Sequence, residues 1–256
     1  MQVYLGDIIP TSTLDWPGEV VLSVFLRGCP LRCPYCSNPQ LVNERSGSPA
    51  ELEKVTAEID RAKDFIDGVV FSGGEPLMQL SAVLAIASYA KSYGLKVAVQ
   101  TSGMYPGRLE KLVDDRLLDA VMLDVKAPLT LEAYMRASGQ RPDREDVLMA
   151  VSGSVDLCNR LRGEGKLEYY EVRTTIFHGI SDRPEDVEAI VSSIACDSYV
   201  LQQGRPEIAM DDRIKKLEAV TRSGLLDLAR VKKSGKIGRV MIRTREMGDE
   251  VVRNGG

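Results

Sequence analysis

The sequence predicts an α/β fold built on a partial (β/α)6 barrel, and two patterns indicate it. First, six apolar runs rich in β-branched residues recur along the chain, as expected of strands buried on both faces of a parallel sheet. Second, an amphipathic helical stretch follows most of these runs, and repeated strand-then-helix units produce parallel sheets. Six units are too few for a complete eight-fold barrel, so an open barrel fits better.

The elements follow in chain order. Strands are predicted at 20–26, 68–72, 95–101, 120–125, 168–177 and 198–202, and helices at 50–64, 80–93, 108–115, 144–161 and 184–196. The two ends stand outside this repeat. Residues 1–17 are expected to form a strand and a turn, residues 211–233 a helix, and residues 239–243 a short final strand. We therefore predict one domain, 1–256, with a core at 17–204 and extensions at 1–16 and 205–256.

Composition and charge restrict the function classes. The chain has 256 residues, 44% hydrophobic and 27% charged, which is typical of a soluble globular protein rather than a disordered one. We see neither an apolar stretch long enough to span a bilayer nor a signal-peptide pattern, so a cytoplasmic location is expected. A net charge of −4 argues against nucleic-acid coating.

The charge is unevenly distributed along the chain. Residues 211–256 carry +5 and the remainder −9. This basic segment is either a solvated helix face or a docking surface for an acidic partner or RNA, with Lys232, Lys233 and Lys236 as its candidate contacts.

Three of the five cysteines fall within eight residues, as Cys29-x3-Cys33-x2-Cys36. Such crowding is not a disulfide framework. Zinc takes four ligands, and no fourth lies nearby in the sequence, although Cys158, Cys196 or His178 could be borrowed. An iron–sulfur cubane also normally takes four thiolates, so three would leave one iron open to a non-protein ligand.

Polar groups recur where the predicted strands end. The cysteine loop follows the first strand, and the next five carry polar residues at or near their carboxyl ends: Ser72-Gly73-Gly74-Glu75-Pro76, Gln100-Thr101-Ser102-Gly103, Asp124 with Lys126, Arg173, and Gln202-Gln203-Gly204. In barrel-like sheets this rim holds the active site. The pattern therefore predicts one there.

The cysteine spacing, with Tyr35 before the last cysteine, resembles the signature of the radical S-adenosylmethionine (radical SAM) superfamily. The stretch LDWPGEVVLSVFLRGCPLRCPYCSNPQL is similar in particular to activating enzymes of anaerobic ribonucleoside-triphosphate reductase. Activases of pyruvate formate-lyase share much of this layout. The resemblance implies the partial TIM-type barrel of the radical SAM core.

The resemblance also implies the chemistry. Cys29, Cys33 and Cys36 would hold a [4Fe–4S] cluster whose open iron binds S-adenosylmethionine. Reductive cleavage would give a 5′-deoxyadenosyl radical that makes a glycyl radical on a partner enzyme, with no catalytic residue beyond cluster and cofactor. The implied cofactor contacts are Tyr35, Ser72, Gly73, Gly74, Glu75, Thr101, Ser102, Asp124, Lys126 and Arg173. Gln100 replaces an acidic residue of the formate-lyase-type activases, which puts their monovalent cation site in question.

The expected partners are an anaerobic ribonucleotide reductase as substrate and an external one-electron donor such as flavodoxin or ferredoxin. Neither a membrane nor nucleic acid is expected as a partner. Two alternatives stay open: another radical SAM reaction, on a different glycyl radical enzyme, a small molecule or RNA, and a non-enzymatic iron–sulfur electron carrier.

Cys158 and Cys196 are interpreted as core residues and His178 as structural, while Trp16 either packs as a lid over the sheet edge or contacts a partner.

Overall fold

The computed structural model describes residues 1–230 and 235–252. Within these residues the main sheet has nine strands, in the spatial order β11 (Gly248–Val251), β10 (Arg239–Thr244), β9 (Ser198–Gln203), β8 (Tyr169–Ile176), β7 (Ala120–Asp124), β6 (Lys96–Thr101), β5 (Gly68–Gly73), β3 (Val21–Leu26) and β2 (Leu5–Ser12). All neighbours from β3 to β10 pair in parallel, while β2 and β11 pair antiparallel at the two edges. The two edge strands do not pair with each other in the described part of the chain. This open parallel sheet confirms the predicted α/β partial barrel.

The two remaining described strands, β1 (Gln2–Val3) and β4 (Ala50–Glu51), pair antiparallel in a separate two-stranded sheet. The six predicted core strands are confirmed, and so are the N-terminal and final strands. The hairpin partner β11 was not predicted, because its four residues are mostly polar and exposed.

The helices are α1 (Glu53–Ala62), α2 (Leu80–Ser92), α3 (Pro106–Asp114), α4 (Leu131–Ser138), α5 (Glu145–Gly163), α6 (Pro184–Ser193) and α7 (Arg222–Ala229). The five predicted core helices are present with shifts at their ends. The sequence reading missed α4 because eight residues give too short a periodic pattern.

The helix predicted over 211–233 is wrong in extent. Among residues 211–230, which the structure describes, α7 is the only α-helix. It starts at Arg222 because the Thr221 side chain accepts a hydrogen bond from the Gly224 amide and so caps it. Before it, Ile214–Lys216 form a single 3₁₀ turn. Lys232 and Lys233 of the basic segment, and the glycines at 255–256, lie outside the described residues.

The two faces of the sheet differ in chemistry. The outward face packs its Val, Leu, Phe and Tyr side chains against the helices and forms the main core. The inward face carries polar side chains such as Ser23, Ser72, Gln100 and Glu171. Near the strand starts, buried Trp16 packs inside the barrel against small and apolar side chains of β3, β5, β6 and β7: Val21, Val70, Ala98, Ala120 and Met122. Trp16 therefore closes this end of the barrel rather than lying over its edge.

Among the described residues, no helix combines the length and apolar character that crossing a membrane requires.

Candidate active site

The cysteine loop leaves β3 through Gly28, whose φ of +96° few other residues tolerate. Backbone hydrogen bonds hold the start of the loop: the Gly28 amide donates to the Leu41 carbonyl at 2.8 Å and the Cys29 amide to the Val42 carbonyl at 3.0 Å. Further along, the Cys36 amide donates to the Cys33 carbonyl at 3.0 Å. Cys33 and Cys36 therefore lie at the two ends of one tight turn.

The unpredicted helix α4 supports the same loop. The Arg32 amide donates to the Ser138 carbonyl at 3.1 Å, and the Gln140 side chain donates to the Pro30 carbonyl at 3.4 Å. Between them, Gly139 ends α4 with a φ of +65°, and a Cβ on it would lie 1.9 Å from the Arg32 carbonyl oxygen. The position therefore requires glycine twice over, for its backbone angle and for its closeness to the loop.

The C-terminal extension also contacts the cysteine loop. The Asp211 amide donates to the Pro34 carbonyl at 2.8 Å, and Ile214 packs in the same apolar cluster as Cys33 and Tyr35. The segment that leaves β9 therefore crosses back to the loop that follows β3. No feature of the sequence indicated this contact.

A cavity of about 540 Å³ lies at the carboxyl ends of the parallel strands. The three motif cysteines line it together with nine of the ten predicted cofactor contacts: Tyr35, Ser72, Gly73, Gly74, Thr101, Ser102, Asp124, Lys126 and Arg173. The lining also includes residues that were not predicted to belong to the site, among them Asn38, Thr175, Arg205 and Arg243. The cavity reaches solvent beside Leu14, whose side chain is 83% exposed.

Glu75, the tenth predicted contact, lies behind the cavity wall. It is fully buried, and its carboxylate accepts hydrogen bonds from the Thr101 hydroxyl at 2.9 Å, the Ser102 amide at 2.8 Å and the Leu77 amide at 3.1 Å. Burial raises the pKa of Glu75, although these hydrogen bonds oppose the shift. The carboxylate thus orients two lining residues, Thr101 and Ser102, from behind.

The two glycines of the SGGEP turn allow close backbone packing. A Cβ on Gly73 would lie 2.2 Å from the Leu26 carbonyl oxygen, and a Cβ on Gly74 would lie 2.3 Å from the Gly28 carbonyl oxygen. Both contacts are to the end of β3 and the start of the cysteine loop. Gly73 and Gly74 are predicted cofactor contacts, and in the structure they also join the turn to the cysteine loop.

Gln100 is engaged by two neighbours. Its side-chain oxygen accepts a hydrogen bond from the Ser72 hydroxyl at 2.8 Å, and its side-chain nitrogen donates to the Asp15 carbonyl at 2.9 Å. The side-chain amide of Gln100 therefore links β5 and β6 to the N-terminal loop. Gln100 is neutral, whereas an acidic residue at this position would carry a negative charge.

Asp124 and Lys126 lie together at the end of β7, with 3.4 Å between Lys126 Nζ and a carboxylate oxygen of Asp124. Burial opposes the charge on Lys126, but Asp124 and Cys33 raise its pKa well above the usual value. Burial raises the pKa of the Cys29 thiol to about 12 and that of the Cys33 thiol to about 11. The positive charge of Lys126 acts in the opposite direction and favours the thiolate form of both cysteines, the form that binds metals.

Arg173 has an incompletely used guanidinium group. Its Nε donates to the Glu171 carboxylate. Its Nη2 is buried and has no hydrogen-bond partner among the described residues. Because a buried unpaired donor is costly, a guanidinium that lines a cavity in this state is suited to an anion.

Tyr35, within the cysteine loop, is only 7% exposed, and the centroid of its ring lies 5.0 Å from that of Phe177.

The remaining candidates lie elsewhere. Cys158, in α5, and Cys196, in the loop before β9, are buried in the main core and do not line the cavity. His178 is half exposed, 3.6 Å from Asp182. In the described residues no three His, Cys, Asp or Glu side chains are grouped closely enough to bind a single metal ion.

These residues fit a [4Fe–4S] cluster with S-adenosylmethionine. Three thiols that line one cavity match three irons, and the unpaired Nη2 of Arg173 matches a carboxylate. The size of the cavity also falls within the range of cofactor sites.

Comparison with known proteins agrees with this fit. The profile of the Radical SAM superfamily matches residues 23–188. A Methanocaldococcus jannaschii protein assigned as a glycyl-radical enzyme activating enzyme is 34% identical over 245 residues, 95% of this chain and 97% of that protein. A pyruvate formate-lyase-activating enzyme of Clostridium pasteurianum is 36% identical over 126 residues, 48% of this chain and 52% of the relative.

Among solved structures, TYW1 with a lysine–pyruvate adduct bound superposes with a TM-score of 0.60 at 18% identity, covering 91% of this chain and 80% of that one. This likeness concerns the fold alone.

Proposed function

The chain belongs to the radical SAM superfamily and to its glycyl-radical enzyme activating enzymes, and we propose that its substrate is an anaerobic ribonucleoside-triphosphate reductase. The family uses a [4Fe–4S] cluster and S-adenosylmethionine. The observation that carries the substrate assignment is the stretch LDWPGEVVLSVFLRGCPLRCPYCSNPQL, which is similar to activating enzymes of that reductase from the lead-in strand to the Asn-Pro-Gln.

When bound, the cluster and S-adenosylmethionine would supply one-electron cleavage of the sulfonium C5′–S bond, which yields methionine and 5′-deoxyadenosine and removes one hydrogen atom from a glycine Cα of the partner to leave a glycyl radical. Cys29, Cys33 and Cys36 hold three of the irons. Arg173 and Lys126 bind the carboxylate end of S-adenosylmethionine, and Tyr35 packs beside its adenine. The protein's part is to hold these groups and exclude water.

The remaining contacts come from the strand ends. Gly73 and Gly74 bring backbone polar groups to the methionine amino end, while Ser72, Thr101, Ser102 and Asp124 offer hydroxyl and carboxylate groups along the cavity. Glu75 acts from behind by holding Thr101 and Ser102.

A protein substrate suits the shape of this cavity. The cavity is open to solvent beside exposed Leu14, and Gln202, Arg205 and Arg243 also line it. A glycine-bearing loop that enters there would complete the enclosure. The same geometry admits the loop of another glycyl radical enzyme, and the formate-lyase-activating relatives make that the second candidate.

The partners and the location complete the proposal. An external one-electron donor such as flavodoxin or ferredoxin reduces the cluster, and the reaction takes place in the cytoplasm under anaerobic conditions. The chain acts as one domain, 1–256.

The test is anaerobic mixing of the reconstituted enzyme, a reductant and S-adenosylmethionine with either an anaerobic reductase or a pyruvate formate-lyase. Electron paramagnetic resonance should show a glycine-centred doublet growing on the reductase, and deuterium from deuterated glycine of the reductase should appear in 5′-deoxyadenosine. Cys33→Ala protein serves as the control and should give neither signal. A doublet only on formate-lyase would replace the substrate. Cleavage of S-adenosylmethionine without any doublet would leave only the superfamily assignment.

A further inference from the structure

The inner wall of the barrel contains a charged group that the proposed chemistry does not use directly. Glu171, on β8, is completely buried inside the barrel. Its carboxylate accepts hydrogen bonds from Nε of Arg173 and from the hydroxyl of Tyr169, and one of its oxygens lies 3.6 Å from Nη2 of Arg243. Burying a charged carboxylate costs free energy, and its ion pairs and hydrogen bonds offset that cost only when their geometry is good.

Glu171 fixes the Nε side of the Arg173 guanidinium and leaves its Nη2 free to bind a ligand. Nε is taken by Glu171, while Nη2 has no partner in the described part of the chain, and Arg173 lines the cavity. An unrestrained arginine has several rotatable bonds to fix upon binding, so a carboxylate that holds it beforehand lowers the cost of ligand capture.

The C-terminal hairpin β10–β11 supports this pair from outside the six-strand core. Arg243, on β10, lies against Glu171 and is held by the Asp249 carboxylate of β11 through both Nε and Nη2, at 2.5 and 2.9 Å. The hairpin thereby supplies a second positive charge beside Glu171, which attracts the carboxylate and helps to hold it in place.

From this chain of contacts we infer that Glu171 is a positioning residue for cofactor binding: it presents the free side of Arg173 to the carboxylate of S-adenosylmethionine. The inference rests on the proposed role of Arg173. It assigns the inner-wall charges of β8 and β10 to cofactor recognition rather than to stability alone.

The test measures ligand binding by calorimetry on anaerobic, cluster-loaded protein, without turnover. The probes are S-adenosylhomocysteine, which has the amino acid end, and 5′-methylthioadenosine, which lacks it. Arg173→Ala should weaken S-adenosylhomocysteine binding by about tenfold or more, the loss of one charge-assisted contact. Glu171→Gln should weaken it similarly and leave 5′-methylthioadenosine unchanged, with iron content unaltered.

Asp186→Asn is the matched control, because it removes the negative charge from another buried carboxylate that pairs with an arginine, Arg183, and does not line the cavity. This change lies outside the network of Glu171 and Arg173, so it should alter binding of either probe by less than about twofold. Should Glu171→Gln fail to fold, Tyr169→Phe removes only one hydrogen bond to the carboxylate and should show the same selective loss, but smaller.

The outcomes separate the two claims. If Arg173→Ala weakens S-adenosylhomocysteine and Glu171→Gln does not, the positioning role is refuted while the Arg173 role stands. If Glu171→Gln weakens both probes equally, the residue supports the cavity wall and not Arg173, which also refutes the inference. If Arg173→Ala has no effect, the assignment of Arg173 itself fails, and with it the role of Glu171.

Discussion

Gly139→Ala tests whether α4 holds the cysteine loop in place. Gly139 ends the helix with a φ of +65°, and a Cβ there would lie 1.9 Å from the Arg32 carbonyl oxygen and 2.5 Å from its carbonyl carbon. Both atoms are backbone, so no side-chain rotation can relieve the clash. Either the end of α4 or the loop between Cys29 and Cys33 must move.

The magnitude follows from two contributions. A left-handed backbone angle costs a non-glycine residue about 1–2 kcal/mol. Overpacking against atoms that cannot turn away costs typically about 1–3 kcal/mol more. The substitution should therefore lower the free energy of unfolding by about 2–5 kcal/mol if both contributions are realised. Any part relieved by loop movement should appear as loss of iron instead.

The assay combines denaturant unfolding with iron content after anaerobic reconstitution. Gly163→Ala is the control, because this helical glycine has no atom within 4 Å of its added Cβ and should be neutral or slightly stabilising. Unchanged stability together with full iron loading in Gly139→Ala would refute the idea that α4 braces the loop.

Four further predictions follow from single contacts. Cys33→Ala should abolish the roughly four irons expected of a cubane, and Cys158→Ala should keep them, as iron analysis and visible absorption would show. Lys126→Ala should weaken S-adenosylmethionine binding by about 1.5–3 kcal/mol, measured by calorimetry, since one charge-assisted bond is lost. Glu75→Ala should cost about 2–6 kcal/mol in denaturant unfolding, because the buried Leu77 and Ser102 amides each lose an acceptor. Trp16→Ala should cost about 3–5 kcal/mol by leaving a cavity inside the barrel, and the intrinsic tryptophan fluorescence would disappear with it.

The core of the fold could be predicted because its strands are buried on both faces. A strand such as Gly68–Gly73, GVVFSG, shows an almost unbroken apolar run, and each of the six predicted core strands is followed along the chain by a polar or cysteine-bearing rim segment. The rim then followed from topology, since carboxyl ends of parallel strands meet on one side. The three motif cysteines and nine predicted contacts accordingly line one cavity.

What could not be predicted depends on contacts between distant segments. The bracing of the cysteine loop by Ser138 and Asp211 uses backbone atoms, which carry no sequence signal. Arg243 was read only as part of a final strand, because nothing local shows that β10 extends the barrel and turns this side chain inward. The partner of Arg173 was also missed, although the alternation of side chains along a strand places Glu171 and Arg173 on the same face.

Fold and site are specified by the same alternation along the strands. On β8, Val172 faces the helices, whereas Glu171 and Arg173 face the interior. Across the sheet, Asp124 is the register partner of Arg173, and Ser72 is the partner of Phe25. A slip of one residue would exchange the two faces of a strand, moving charges into the core and apolar side chains into the cavity. Both errors are costly, so the register that buries the outward apolar side chains also aligns the polar groups that meet the cofactor.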